Sequence, residues 1–221
     1  MKQRRGVTPQ MVGRYPDYDV LSQTRHWDDV TRRVVLDRVE NVPPIRFFSP
    51  AEADTLKAFC DVVTAQHVEP RIPVLSYVDE KLFEGGRDGW QYYDVPDDDD
   101  VWRRVARGLD AEAVHATFES FAAAPRETQE GIVHRFARAD LHGGVWDTMN
   151  VAQAFKVVMR YVAQAFYAHP WAWNEIGFGG PAYPRGYGAF GSPHLGERES
   201  WEGSEAEHGD PVEETREKGW D

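Results

Sequence analysis

From Asp28 onward, apolar residues recur at steps of three and four, with almost no period-two alternation. That is the spacing of amphipathic helices rather than half-buried strands. Val30, Val34, Val35 and Val39 predict a first helix with Asp28 as its N-cap, stopped before Pro43-Pro44. Ser49-Pro50-Ala51-Glu52 predicts a second start. The serine oxygen accepts from an exposed amide, the proline sits where a missing N–H costs nothing, and the glutamate closes a capping box. Leu56, Phe59, Cys60 and Val63 supply the buried stripe behind it. A third helix is predicted from Pro73 to about Phe83, with Leu75, Val78 and Leu82 inward and Gly85-Gly86 as breaker.

Further along, Val101, Trp102, Val105 and Leu109 predict a helix that Asp97 to Asp100 would open. Asp110 is read as the start of another, bearing Val114, Phe118 and Phe121, and Pro125 as the start of a third, bearing Ile132, Val133 and Phe136. Gly143-Gly144 predicts a turn. Asp147 is taken to begin the most regular element, in which Val151, Ala152, Phe155, Val158, Met159, Val162, Ala163 and Phe166 share one face until His169-Pro170. The expected fold is all-α, a bundle of six or seven helices followed by a long irregular segment rich in Gly, Pro and aromatics. The expected organisation is an irregular arm over 1–26, a helical domain over 27–190 and an acidic, disordered tail over 191–221. Met11, Tyr15 and Tyr18 could pin the arm.

Composition narrows the function. The chain has 221 residues, 41% of them hydrophobic, enough for a real core. Its net charge is −12, and His194 to Asp221 holds ten Asp/Glu against three Lys/Arg. An acidic chain gains nothing from counterion release on phosphates, so nucleic acid and anionic membranes are poor partners. One cysteine, Cys60, permits no internal disulfide or thiolate metal site and is expected to be a small buried core residue. Arg4-Arg5 suggests a twin-arginine export signal, but no apolar h-region follows. No apolar run approaches the roughly 20 residues of a membrane span. The chain is therefore expected to be cytoplasmic by its own sequence, and periplasmic only if exported with a partner.

Catalytic patterns are wanting. The eight histidines include no pair at i, i+4 and no His-Glu-x-x-His. His134, Asp140 and His142 could converge on a metal, which is the enzymatic alternative. Asp97 to Asp100 lacks the alternating ligands and glycine of a calcium loop and reads as favourable charge at a helix N-terminus. Gly177-Phe178-Gly179-Gly180 follows no predicted strand, and Pro181 removes an amide, so it is not a phosphate cradle. Trp90, Tyr92 and Tyr93 offer a third reading, an aromatic platform for a sugar. From His169 to Tyr187 the chain combines two Trp, two Tyr and a Phe with four Gly and three Pro. It is too broken for a regular helix or central strand and too aromatic for a solvated linker. Aromatics and Arg anchor protein interfaces, so this segment either wraps its own bundle or meets a partner.

The run from Trp171 to Tyr187, Trp-Ala-Trp-Asn-Glu-Ile-Gly-Phe-Gly-Gly-Pro-Ala-Tyr-Pro-Arg-Gly-Tyr, closely resembles the C-terminal signature of the gluconate 2-dehydrogenase subunit 3 family. Ser49 to Ala53 with Leu56, Ile72-Pro73, the Gly89-Trp90 loop and the helix holding Gln129 lie in the order that family shows. The resemblance covers roughly residues 40–190. It implies a small, or gamma, subunit that carries neither cofactor nor metal nor catalytic residue of its own. The implied partner is a large flavoprotein of the glucose–methanol–choline oxidoreductase type holding the FAD, with a cytochrome c subunit often receiving the electrons. The implied work is to bind, stabilise and help assemble that sugar or polyol dehydrogenase. The expected partner-binding residues are Trp171, Trp173, Phe178, Tyr183, Arg185 and Tyr187.

Overall fold

Where the sequence places a capping side chain before an apolar stripe, a helix forms. The computed structural model describes residues 15, 18–66, 68–87, 91–186, 199 and 201–203. Among the described residues there are seven α-helices, two 3-10 helices and no strand. The α-helices are α1 (Asp29–Glu40), α2 (Pro50–Val63), α3 (Val74–Phe83), α4 (Asp98–His115), α5 (Arg126–Ala137), α6 (Val151–Tyr167) and α7 (Pro170–Ile176). The 3-10 helices are Val20–His26 and Gly144–Thr148.

The chain divides into two compact units. The larger takes residues 42–69 and 73–166. Its α2 begins with the complete Ser49–Glu52 capping box and packs against α3, α4 and α5. Leu56, Phe59, Trp102, Val105, Leu109, Phe121, Phe136 and Val158 are buried. Trp102 meets Tyr161 edge-on at 6.2 Å, and Phe136 lies 5.0 Å from Phe155, which ties α6 to α4 and α5. Gly108 sits where a Cβ would overlap the Trp146 indole, so the 3-10 helix holding Trp146 can lie directly on α4. That indole donates to the buried Glu112 at 3.2 Å, and Arg135 pairs with the other Glu112 oxygen at 2.9 Å. One carboxylate thereby joins α4, α5 and the 3-10 helix while both its oxygens are satisfied.

Asp79 on α3 is fully buried and accepts from three consecutive backbone amides, Arg46 at 2.7 Å and Phe47 and Phe48 at 3.0 Å each. The stretch before α2 is pinned by this carboxylate rather than by a strand ladder. Each of the four aspartates from 97 to 100 has a partner. Arg87 bridges Asp97 and Asp99 at 3.1 Å, and those two charges hold its guanidinium above the ordinary arginine range, Asp99 most. Asp98 is buried under the Tyr161 hydroxyl at 2.7 Å and Arg160 at 3.1 Å, and Asp100 pairs with Arg104 at 2.6 Å. The Asp97 side chain makes no capping hydrogen bond; the other three occupy the first turn, where the helix dipole favours them.

The second unit collects the described residues of 1–41, 70–72 and 167–221. Val20, Trp27, Val35 and Trp173 form its core, with Tyr18, Leu21 and Phe178 packed against them. Asp19 caps the first 3-10 helix, and Asp28 caps α1 through the Thr31 amide at 2.8 Å. The Asn174 side chain accepts from the Val20 amide at 2.8 Å, so α7 holds the start of the first 3-10 helix.

Four expectations about elements need correction. Asp110 does not open a helix, because α4 runs through it unbroken. Its carboxylate instead accepts from the Thr55 hydroxyl at 2.7 Å and the Phe121 amide at 3.0 Å. Asp147 does not start α6. It accepts from the Gly143 amide, and Asn150 makes the cap, accepting from Gln153 at 3.1 Å. The segment after His169 is not wholly irregular. His169 caps α7, Pro170 occupies its first turn, and Gly177 in the left-handed conformation stops it after two turns. On α1 only Val35 is buried, while Val30 and Val34 stand 56% and 46% exposed.

Candidate partner-binding surface

The aromatic segment after α6 turns most of its rings into its own unit. Trp173 is buried and donates through Nε1 to the Tyr167 carbonyl at 2.6 Å. Phe178 is half-buried and meets Trp173 edge-on at 5.6 Å. Trp171 is buried against the His169 ring at 4.8 Å, while the His169 Nδ1 accepts from the Trp171 amide at 3.2 Å. Gly180, at φ 74°, leaves room for the Trp27 ring, 2.7 Å from where its Cβ would stand. Trp173 and Phe178 therefore pack on the core behind the loop, while Trp171 is buried beside His169.

The loop's outer side is made differently. Tyr183 is 66% exposed. Arg185 is half-buried, donates to the Gln23 side chain at 2.9 Å and stacks over the Trp201 ring at 4.3 Å. Tyr187 lies outside the described residues. Of the six residues expected at an interface, Tyr183 is exposed, Phe178 and Arg185 are half-buried with the Arg185 Nε and Nη2 atoms covered, and Trp171 and Trp173 are buried.

Tyr18, one of the residues expected to pin the arm, and Trp201 and Gly203, which were not expected here, complete the arrangement. The Tyr18 hydroxyl donates to the Trp201 carbonyl at 2.9 Å. The Gly203 amide donates to the Gly177 carbonyl at 2.8 Å, and Trp201 covers Gly179 so closely that no Cβ fits there. Trp201 was concealed by its setting, since it lies within the acidic stretch expected to be solvated. An isolated tryptophan among acids was the available signal.

The His134, Asp140 and His142 side chains lie at the surface of the larger unit. His142 and Asp140 approach to 3.7 Å at the surface, 77% and 69% exposed, and His134 is exposed as well. Among the described residues no group of three His, Cys, Asp or Glu could hold a metal ion. Tyr93 is wholly exposed, Tyr92 is half-buried, and Trp90 lies outside the described residues. Cys60 is buried, and burial first, then the neighbouring Asp61 charge, pushes its thiol well above the ordinary range. It is a core atom rather than a nucleophile. Among the described residues no helix is long and apolar enough to cross a membrane.

The architecture is that of an all-helical protein whose aromatic C-terminal loop closes a small core of its own. The model of one such family, gluconate 2-dehydrogenase subunit 3, matches residues 50–180, and the chain belongs to that family. The matched span runs from the capping box of α2 to the glycine turn after α7. No curated protein and no solved structure matches the chain.

Proposed function

We propose that this chain is a non-catalytic small subunit that binds, stabilises and helps assemble a flavin-dependent sugar or polyol dehydrogenase of the glucose–methanol–choline type. The family match over residues 50–180 carries the reading, because the family is defined as a subunit of a gluconate dehydrogenase. The FAD belongs to the large partner, and a cytochrome c subunit takes the electrons in complexes that include one. The outer side of the C-terminal loop supplies part of the contact, with Tyr183 exposed on it and Arg185 braced beside it against Gln23 and Trp201; tyrosine gives large contact area at small entropic cost. Trp173 and Phe178 hold that loop in shape.

The test is an affinity capture of the full chain from its native cells, with mass spectrometry and a visible spectrum of the eluate. The expected result is a co-purifying flavoprotein with flavin absorption and sugar- or polyol-oxidising activity. A colourless chain that elutes alone, under conditions where the flavoprotein is present in the lysate, overturns the reading.

A further inference from the structure

Glu199, Trp201, Glu202 and Gly203 form a short strap over the C-terminal loop. The strap is closed on itself: the Glu202 amide donates to the Glu199 carbonyl and the Glu199 amide to the Glu202 carboxylate, both at 3.0 Å. The strap and the residues named with it belong to the smaller unit. Its two backbone ties run from the Tyr18 hydroxyl to the Trp201 carbonyl at 2.9 Å and from the Gly203 amide to the Gly177 carbonyl at 2.8 Å. The Trp201 ring lies against Gly179, with the Arg185 guanidinium 4.3 Å over it.

This contact covers donors without supplying acceptors. Trp201 Nε1, Arg185 Nε and Arg185 Nη2 are sealed from solvent, and among the described residues none of the three atoms has a hydrogen-bond partner. Arg185 Nη1 is satisfied by the Gln23 side chain at 2.9 Å. A sealed donor without an acceptor loses the bond it makes to water, and a charged one loses more. The stack of guanidinium on indole offsets part of that loss. A closed state that leaves three donors unsatisfied therefore gains little over an open one in which water takes all three. Trp27, Trp171 and Asn174 also hold a sealed donor without a partner, but those residues are buried. Trp201 and Arg185 are only half-buried, at the edge of the unit, where water has a short way in.

We infer that the strap opens and recloses as a unit in the native protein, and that in its closed state it withholds the Arg185 guanidinium from the large subunit. Opening turns two donors of Arg185 and the Gly177 carbonyl to solvent, on the loop that also carries the exposed Tyr183. A partner that uses this face competes with the strap for it, so its apparent affinity falls with the fraction of chains that are closed. The withholding role rests on the accessory-subunit reading; the opening does not.

The experiment compares two amides of the full chain by hydrogen exchange. Gly203 donates to the Gly177 carbonyl and Val20 to the Asn174 side chain, each at 2.8 Å, and both residues are buried. Static geometry alone gives them equal protection. An opening strap leaves Gly203 at least about 100-fold less protected than Val20, after correction for intrinsic rates. Gly179→Ala is the second variant: the atoms nearest its new methyl are Trp201 Cδ1 and Nε1 and Glu202 Cγ, all on the strap, and its backbone conformation is one that alanine adopts. This variant should lower Gly203 protection by about a further tenfold, speed the labelling of Arg185 by phenylglyoxal by about the same factor, and leave Val20 protection unchanged. The captured flavoprotein should bind it about tenfold more tightly than the wild type. Equal protection of the two amides in the wild type overturns the inference, and so does a loss of Val20 protection in Gly179→Ala, since either makes the strap part of the core. Unchanged or weaker binding of the flavoprotein by the opened variant makes the strap a brace rather than a cover and overturns it too. A wild-type chain that holds no flavoprotein overturns the accessory-subunit reading and with it the withholding role, while the exchange ratio still decides the opening.

Discussion

Replacing Asp79 by Ala removes the carboxylate that holds three consecutive amides before α2, and its cost can be worked from the geometry. Three amides lose a carboxylate acceptor at 2.7, 3.0 and 3.0 Å. Of these, only the Phe48 amide belongs to a buried residue, so it alone must stay without a partner; the Arg46 and Phe47 amides can turn to water. An orphaned buried donor costs about 1–3 kcal/mol, and each of the two bonds exchanged for water costs at least the roughly 0.5–1.5 kcal/mol of an ordinary hydrogen bond. The total comes to about 2–6 kcal/mol, a large share of the roughly 5–15 kcal/mol that holds a domain folded. With a urea slope of about 2 kcal/mol/M, the transition of the larger unit should move down by about 1–3 M. Asp79→Asn should recover little, because its amide nitrogen presents a donor to donors. The assay is urea unfolding followed by tryptophan emission, together with hydrogen exchange at the amides of residues 46–48. If the midpoint moves by less than about 0.3 M and those amides stay protected, the pinning role of Asp79 is wrong.

Two further outcomes follow from the packing and the caps. Gly108→Ala should destabilise the larger unit by about 1–3 kcal/mol, because the new methyl overlaps the Trp146 indole and must push it off α4; a red-shifted tryptophan emission should accompany the loss, and an unchanged melting temperature would refute it. The Asp28 carboxyl is held below the ordinary range, first by the Thr31 hydroxyl, then by the Thr31 amide, with a smaller contribution from Arg32. Its folded pKa lies below its unfolded value, so its contribution is full above the unfolded value of about 3.9 and is lost as pH falls through the folded one. The difference in melting temperature between wild type and Asp28→Asn should therefore be constant at neutral pH and shrink in acid, and a gap that stays constant down to pH 2 would exclude that cap charge.

The legible parts of the fold are those set by local chemistry. The Ser49 box, the Asp28 cap, the breaks at Gly85-Gly86 and Gly143, and the stripes of α2, α3, α4 and α5 all follow from side chains a few residues apart. On α6 the covered face is rotated from the expected one: Ala154, Val157 and Tyr161 are buried with Val158, Val162 and Phe166, while Ala152 and Ala163 are exposed. The misreadings share one physical origin: an aspartate bonds an amide equally well whether that amide opens its own helix or lies far along the chain. Asp110 and Asp147 look like caps and serve distant or turn amides instead, and Asp79 gives no local sign of holding residues 33 positions away. Likewise the period of Val30 and Val34 matches that of Val35, but only packing decides which side of α1 is covered. At the C-terminal loop, composition announces that the rings matter. It does not separate those facing inward, such as Trp173, from those facing outward, such as Tyr183, because both uses call for the same residue types.

The smaller unit is sewn from the two ends of the chain. Tyr18 reaches Trp201 across 183 positions, and Val20 leans on Asn174 across 154. Contacts of that span close slowly, because the entropy of a long loop is lost before they reward it. Residues 42–69 and 73–166 form the larger unit without them. Until Trp173 and Phe178 arrive, Val20, Trp27 and Val35 lack their cover. The loop that carries Tyr183 therefore takes its shape only when residues far earlier in the chain have docked beneath it, so its surface reports on the folding of a distant segment.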